Sequence, residues 1–345
     1  MDIKSMTLPE LQEEMAAIGE KSFRAKQLYE WIHVRQARSF DEMTNLSVAL
    51  RERCRERYDL TTLQVVRMQE SKLDGTRKYL FELKDGNLVE SVFMRYKHGN
   101  SVCISSQVGC RMGCTFCAST RKGLDRSLTA GEMLDQIYRI QASTGERVSN
   151  VVVMGSGEPF DNYDSLVKFI RLLSDENGLN ISQRNITVST CGIVPKIYEL
   201  AKEKLQITLA LSLHAPNDEI RRQTMPIANR YTIGEIIQAC KYYFDKTGRR
   251  ITFEYSMIRG VNDKEEHAKE LAGRLSGLNC HINLIPLNEV KERNCYRSTK
   301  EDIEKFKTIL EKYRKTVTIR REMGSDIDAA CGQLRKKFLT KNGRN

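Results

Sequence analysis

The chain has 345 residues, 40% hydrophobic and 29% charged, and no apolar run near the roughly 20 residues that a membrane-crossing helix needs, so it reads as a globular protein with room for a barrel and a smaller domain. Its 56 Lys and Arg against 45 Asp and Glu leave a net charge of +11, which favours a polyanionic partner such as nucleic acid over a membrane. Ten cysteines, behind a start that lacks the charged-then-apolar layout of a signal peptide, point away from a secreted disulfide scaffold and toward the reducing cytoplasm.

In chain order, residues 1 to about 60 read as helical. Leu8, Leu11, Met15 and Ile18 fall at helical spacing, a second stretch runs from Phe23 to Val34, and Arg51 to Arg57 adds a charged segment. Two alternating runs, Lys78–Leu83 and Leu88–Met94, flank Asp85-Gly86 and predict a hairpin. Residues 1–95 therefore form a small α+β domain. From residue 100, β-branched runs recur at Ser101–Ser105, Asn150–Met154, Asn185–Ser189, Gln206–Leu213, Arg250–Met257 and Cys280–Pro286. Helical patterns follow most of them, at Ala130–Gln141, Ser165–Ser174, Pro195–Lys202, Ile233–Phe244, Glu265–Leu275 and Lys300–Tyr313. Such alternation predicts an α/β fold, a partial (β/α)6 barrel over residues 96–326 whose ligands gather at the C-terminal strand ends. Residues 327–345 remain as a C-terminal loop and a tail in which Arg335, Lys336, Lys337, Lys341 and Arg344 have no acid among them.

The first predicted barrel strand runs into Cys110-Arg-Met-Gly-Cys114-Thr-Phe-Cys117. Three soft thiols on one short loop suit an iron–sulfur cluster, and a four-iron cubane held by three protein ligands keeps one iron open for a substrate. The competing reading is a structural zinc site or plain structural thiols. Zinc normally closes with a fourth Cys or His, yet no His follows Cys117 until His214, and Cys191 stands alone before Gly192. The spacing resembles the radical S-adenosylmethionine (SAM) superfamily, in which the open iron is chelated by the amino and carboxylate groups of SAM.

Other motifs fall where barrel chemistry is expected. Gly155-Ser-Gly157-Glu158-Pro159 follows the second strand; its glycines permit close backbone approach and Glu158 can accept from an ammonium group, although an ordinary βα turn explains the same residues. Ser189-Thr-Cys-Gly192 ends the third strand and Ser212-Leu213-His214 the fourth, each setting a hydroxyl at the rim. A lone His such as His214 is more often a satisfied core residue. Asn288 follows the sixth strand, where an amide can bind ribose or carboxylate. Cys103, on the first strand, and Cys331, between Ala-Ala and Gly, stand apart from Cys54, Cys240, Cys280 and Cys295, which read as inert buried thiols.

Taken together, Cys110–Cys117, Gly157-Glu-Pro159, Ser212-Leu-His-Ala215, Met225-Pro-Ile227, Gly260-Val-Asn262, Ile327-Asp-Ala-Ala-Cys-Gly-Gln333 and Phe23-Arg-Ala-Lys-Gln-Leu resemble the RlmN/Cfr family of radical SAM RNA methyltransferases along nearly the whole chain. Ser156 and Cys191 depart from the family's usual residues. The resemblance, strongest on the RlmN side, implies methylation of carbon 2 of an adenosine in 23S ribosomal RNA and in the anticodon loop of some transfer RNAs. It implies a 4Fe–4S cluster on Cys110, Cys114 and Cys117, with SAM contacts at Gly157, Glu158, Ser189, Ser212, Leu213, His214 and Asn288. It implies two SAM molecules per turnover: one methylates Cys331, and the other yields the 5′-deoxyadenosyl radical that takes hydrogen from that S-methyl group. Cys103 is implied as the resolving thiol of a transient Cys103–Cys331 disulfide and Glu90 as the proton acceptor, although a strand Glu alone usually just faces solvent. A monomer served by a reductant such as flavodoxin or ferredoxin completes the expectation. The alternatives are a Cfr-type enzyme methylating carbon 8 and a non-catalytic iron–sulfur or zinc protein that binds RNA.

Overall fold

Residues 1–288, 295–328, 334, 335 and 338 are described by the structure, a computed structural model. Thr7 starts α1 (Leu8–Ala17) with a reciprocal cap: its hydroxyl accepts from Glu10, whose carboxylate accepts the Thr7 N–H at 2.7 Å. Leu11 and Met15 on α1, then Ala25, Leu28, Tyr29 and Ile32 on α2 (Ser22–His33), form the apolar faces that the helical spacing predicts. The charged α3 (Val48–Arg57) buries only Leu50 and Cys54.

Beyond these helices runs an antiparallel meander of β1 (Gln64–Glu70), β2 (Arg77–Glu82), β3 (Leu88–Tyr96) and β4 (Gly99–Ile104). The Asp-Gly turn between β2 and β3 closes as expected, with Gly86 at φ 80° and the Asp85 carboxylate accepting the Asn87 N–H at 3.0 Å. A short hairpin, β5 (Gln107–Gly109) with β6 (Leu124–Ser127), stands off the main sheet. Next come α4 (Ala130–Thr144), β7 (Val148–Val153), α5 (Tyr163–Ser174), β8 (Ile186–Thr190), α6 (Val194–Lys202), β9 (Thr208–Ser212), α7 (Asp218–Thr224), α8 (Ile233–Thr247), β10 (Ile251–Met257), α9 (Glu265–Arg274), β11 (Cys280–Pro286), α10 (Lys300–Lys312) and β12 (Thr316–Ile319).

One sheet carries ten strands in the order β1-β2-β3-β4-β7-β8-β9-β10-β11-β12. All pairings from β4 to β12 are parallel, so the sheet is an open partial barrel extended by the meander. All six predicted strands are present. The seventh parallel strand, β12, escaped the sequence reading because it is four residues long and buries Val317 alone, too little for a period to show. The strands β1, β5 and β6 and the seven-residue α7 are likewise additions.

Strand alternation gives the sheet two unlike faces. Val151, Val153, Ile186, Val188, Leu209, Leu211, Ile251, Phe253, Tyr255, Ile282 and Leu284 belong to one continuous core with the helices. Their alternates, among them Ser189, Ser212, Glu254, Ser256 and Asn283, point to the other face. No helix among the described residues is long and apolar enough to cross a membrane.

The N-terminal helices are fixed to the barrel by a buried polar knot. Lys4 Nζ lies 2.5 Å from Asp135 on α4, and the other Asp135 oxygen accepts the Leu63 N–H at 2.7 Å. Beside them His33 Nδ1 is 2.8 Å from the Tyr138 hydroxyl. Burial, helped by the Lys4 charge, lowers His33 to about 3. Because that value lies below the ordinary His value, the unfolded chain takes up a proton that the folded chain refuses. Stability from this group is complete above about pH 6.5 and falls as pH drops toward 3, at up to about 1.4 kcal/mol per pH unit. Replacing His33 with Gln should remove that slope: urea midpoints at pH 6.5 and 4.5 should differ less for the variant than for the wild type, and equal differences would count against it.

Candidate active site

Just past β5 the backbone turns at Gly109 (φ 79°), where a Cβ would strike the Gly123 carbonyl; that carbonyl accepts the Cys110 N–H at 2.8 Å. Thr120 then ties the loop, its hydroxyl donating to the carbonyls of Cys114 and Cys117 at 3.0 Å each. The Thr115 N–H reaches the Thr224 carbonyl on α7 at 2.9 Å. Met112, Phe116, Ile193, Met225 and Ile227 make an apolar shell around Cys114, Cys117 and Cys191. Burial is the main force raising Cys110 to about 12, with Cys117, Glu158 and Asp161 adding to it. Cys114 is also raised, first by burial and then by Cys117 and Cys110. Cys110 and Cys114 therefore lie in the field of Cys117 and stay protonated unless a metal group deprotonates them. Among the described residues no three His, Cys, Asp or Glu side chains form a cage for a single metal ion. Three soft donors on one loop, shielded by apolar side chains, fit an iron–sulfur cluster.

The predicted SAM contacts lie around this loop. The Ser156 carbonyl accepts the N–H groups of Ser106 and Gln107 at 2.9 and 3.1 Å, binding the turn after β7 to the one after β4. Gly157 (φ 109°) permits that contact: a Cβ there would sit 2.6 Å from Gln107 Cβ. Glu158 is buried, and its carboxylate accepts from the Phe160 N–H at 3.0 Å and the Cys191 N–H at 2.8 Å. Burial raises it, against those hydrogen bonds. Ser189 and Ser212 stand side by side at the ends of β8 and β9, hydroxyls 3.1 Å apart. Leu213 is fully buried, so only its main chain faces the rim, with its N–H on the Glu254 carbonyl at 3.1 Å. His214 adopts a left-handed backbone (φ 56°), and its Nδ1 accepts the Ser256 N–H at 2.9 Å. Burial and then Arg221 lower it to about 3, so the ring is neutral with its proton on Nε2, edge-on to Phe116 at 5.0 Å. Asn288 is exposed just beyond β11.

A second group lies on the meander. Glu90 and Val92 share a face of β3, and Cys103 pairs with Val92 from β4. Glu90 is not a solvent-facing strand residue: it is buried, 2.8 Å from Lys78 Nζ, and it accepts the Arg335 N–H at 2.6 Å. Cys103 is buried with Val92 and Met94, against Met323. Cys331 itself lies outside the described residues, as do Lys336, Lys337, Lys341 and Arg344. Both flanks of Cys331 are anchored to the meander. On one side Gly324 donates to Asp74 at 2.8 Å, Ser71 donates to Asp326 at 2.5 Å, and Gln69 pairs with Asp328 at 3.1 Å. Asp74 falls to about 2, because the N–H of Gly324 with Thr76 and Ser71 outweighs its burial. On the other side Leu334 and Phe338 pack on Leu80 and Leu88.

Three residues that shape the rim, Glu254, Asn283 and Arg221, have no role in the sequence reading, and a fourth, Asn262, stands there only within the Gly260-Val-Asn262 motif. Glu254 and Asn283 are joined at 2.9 Å on the polar face; their strand phase, shared with Ser256, was the available signal. Asn262 staples the His214 and Ser256 carbonyls at 2.8 and 2.7 Å. Arg221, in a charged helical stretch, looks solvated in sequence but is fully buried.

A partial parallel barrel bearing a three-thiol loop at the C-terminal strand ends defines a radical SAM enzyme. Residues 104–272 match the Radical SAM superfamily, and residues 1–60 match the ribosomal RNA large subunit methyltransferase N-terminal domain. A probable dual-specificity RNA methyltransferase RlmN from Lachnospira eligens is 66% identical over 338 residues, covering 98% of this chain and 97% of the relative. Another from Clostridium novyi is 55% identical over 341 residues, 99% of each. The crystal structure of a radical SAM methyltransferase from Sphaerobacter thermophilus matches with a TM-score of 0.91 at 45% identity, over 96% of this chain and 98% of that one. The chain belongs to the RlmN family of radical SAM RNA methyltransferases, and membership implies a 4Fe–4S cluster and SAM.

Gly157→Ala adds a Cβ at a left-handed φ and forces the two rim turns apart. SAM binding by the reconstituted protein, measured by equilibrium dialysis, should weaken about tenfold, or about 1.4 kcal/mol. Wild-type affinity in a folded variant would contradict this account of the turn.

Proposed function

We propose that this chain methylates carbon 2 of an adenosine in 23S ribosomal RNA and of an adenosine in the anticodon loop of some transfer RNAs, through a methyl group carried on Cys331. Carbon 2 lies between two ring nitrogens and is electron-poor, so it cannot take a methyl group as a nucleophile. A thiolate can, and Cys331 receives the methyl of one SAM by displacement. Cys110, Cys114 and Cys117 would hold the cluster, which would supply the electron that cleaves a second SAM to a carbon radical able to take hydrogen from the S-methyl group. Cys331 then holds the resulting methylene for bonding to carbon 2. Loss of the carbon 2 proton to Glu90, and of one electron that the oxidised cluster would take back, restores the aromatic ring. Cys103 attacks the Cys331 sulfur; the carbon–sulfur electron pair goes to the methylene carbon, which takes a proton and becomes the methyl product. The disulfide left behind needs two electrons, for which flavodoxin or ferredoxin suits. Gly157, Glu158, Ser189, Ser212, Leu213, His214 and Asn288 hold SAM at the rim, and Nε2–H of the neutral His214 is a donor.

The observation that supports this most is the Arg335 N–H on the Glu90 carboxylate at 2.6 Å, which ties the chain just beyond Cys331 to the strand beside Cys103. An adenosine inside a duplex cannot reach a rim of this kind, so the substrate is single-stranded or flipped. The name of the relatives, dual-specificity RNA methyltransferase, supports the paired RNA substrates. Nucleoside mass spectrometry of RNA from a strain lacking the gene, with and without the gene restored, tests the assignment. Restoration should return 2-methyladenosine to both RNAs; 8-methyladenosine alone would refute it.

A further inference from the structure

Arg221 on α7 is among the largest fully buried side chains of the molecule. Its Nε donates to the Leu213 carbonyl at 3.1 Å, and its Nη2 donates to the Cys191 and Ser212 carbonyls at 2.6 and 3.3 Å. The guanidinium thus knots together the rim turns after β8 and β9. Nη1 is buried and makes no hydrogen bond among the described residues, and no carboxylate there forms an ion pair with the side chain. A buried charge without a counter-charge is costly, and carbonyl dipoles offset only part of that. A negative group belongs beside it.

The neighbourhood indicates which group. The Thr224 carbonyl, at the end of α7, holds the Thr115 N–H next to Cys114 at 2.9 Å. Cys191, whose carbonyl Arg221 grips, packs against Cys114 and Met225. The cation is therefore built into the support of the thiol loop; Asp218 acts on it only through space, its carboxylate accepting the Ile233 N–H rather than pairing with the guanidinium. Resting on the reading of Cys110, Cys114 and Cys117 as ligands, we propose that Arg221 is a positioning residue whose missing counter-charge is the anionic, thiolate-bound cluster, and that its charge favours the reduced state. Reduction adds one electron to the cluster and removes nothing from the protein; a fixed cation in a site of low dielectric lowers the cost of that electron.

The test is a redox titration of the anaerobically reconstituted full chain, followed by electron paramagnetic resonance in the absence of SAM. Arg221→Gln keeps a donor for the carbonyls and loses the charge; Arg221→Lys keeps the charge and loses the fork. At a fixed potential, the reduced-to-oxidised ratio should fall about tenfold in the Gln variant, which is about 59 mV for one electron. In the Lys variant it should stay within about twofold of wild type. An unchanged ratio in the Gln variant overturns the proposal, and so does an unchanged ratio joined to weaker SAM binding, which would give the charge to the SAM carboxylate instead. If only the Lys variant takes up a cluster and keeps its ratio, the requirement for charge stands; if the Lys variant falls tenfold or also fails to load, it does not. A wild-type chain that binds no cluster overturns the ligand reading, whereas a loaded cluster indifferent to Arg221 overturns this inference alone.

Discussion

Alternation along the strands is the constraint on which the rest of the structure depends. One face of the sheet is apolar and satisfies the helices; the other takes Ser189, Ser212, Glu254 and Asn283 from four neighbouring strands. A register slip of one residue would turn those polar groups into the helix core and the valines and leucines outward. The polar lining is therefore specified by the same pattern that specifies the core.

On the meander the same alternation does something different. There the face opposite the helices carries Leu80, Leu88, Glu90 and Val92, an apolar strip with one carboxylate in it. The C-terminal segment lies on that strip through Leu334 and Phe338, and β1 with the turn after it takes the other flank through Asp328 and Asp326. Residues more than two hundred positions apart in sequence thus act as one local structure. In the proposed function the meander belongs to the chemistry as well as to the fold.

How much of this could be read in advance depended on whether the signal was local. The thiol loop was legible because its three cysteines fall within eight residues, and the six long strands because each carries several β-branched residues in phase. Local spacing says nothing about whether a charge is paired. Glu90 looked like an ordinary surface acid until Lys78 and the Arg335 N–H were found on it, and Arg221 like a solvated helix charge until the turns of Cys191 and Ser212 closed over it. His214 needed both levels: the sequence allowed either a core residue or a ligand contact, and the structure gives a buried neutral ring at the rim whose tautomer is set by the Ser256 N–H.

The central claim is that Cys331 carries the methyl group and Cys103 releases it. The most direct measurement is mass spectrometry of nuclease- and protease-digested Cys103→Ala protein after expression in cells that supply RNA. A nucleoside joined through one carbon to the Cys331 peptide is the predicted species, absent from wild type. A Cys103→Ala protein that releases methylated RNA at the wild-type rate and carries no such adduct would contradict the account.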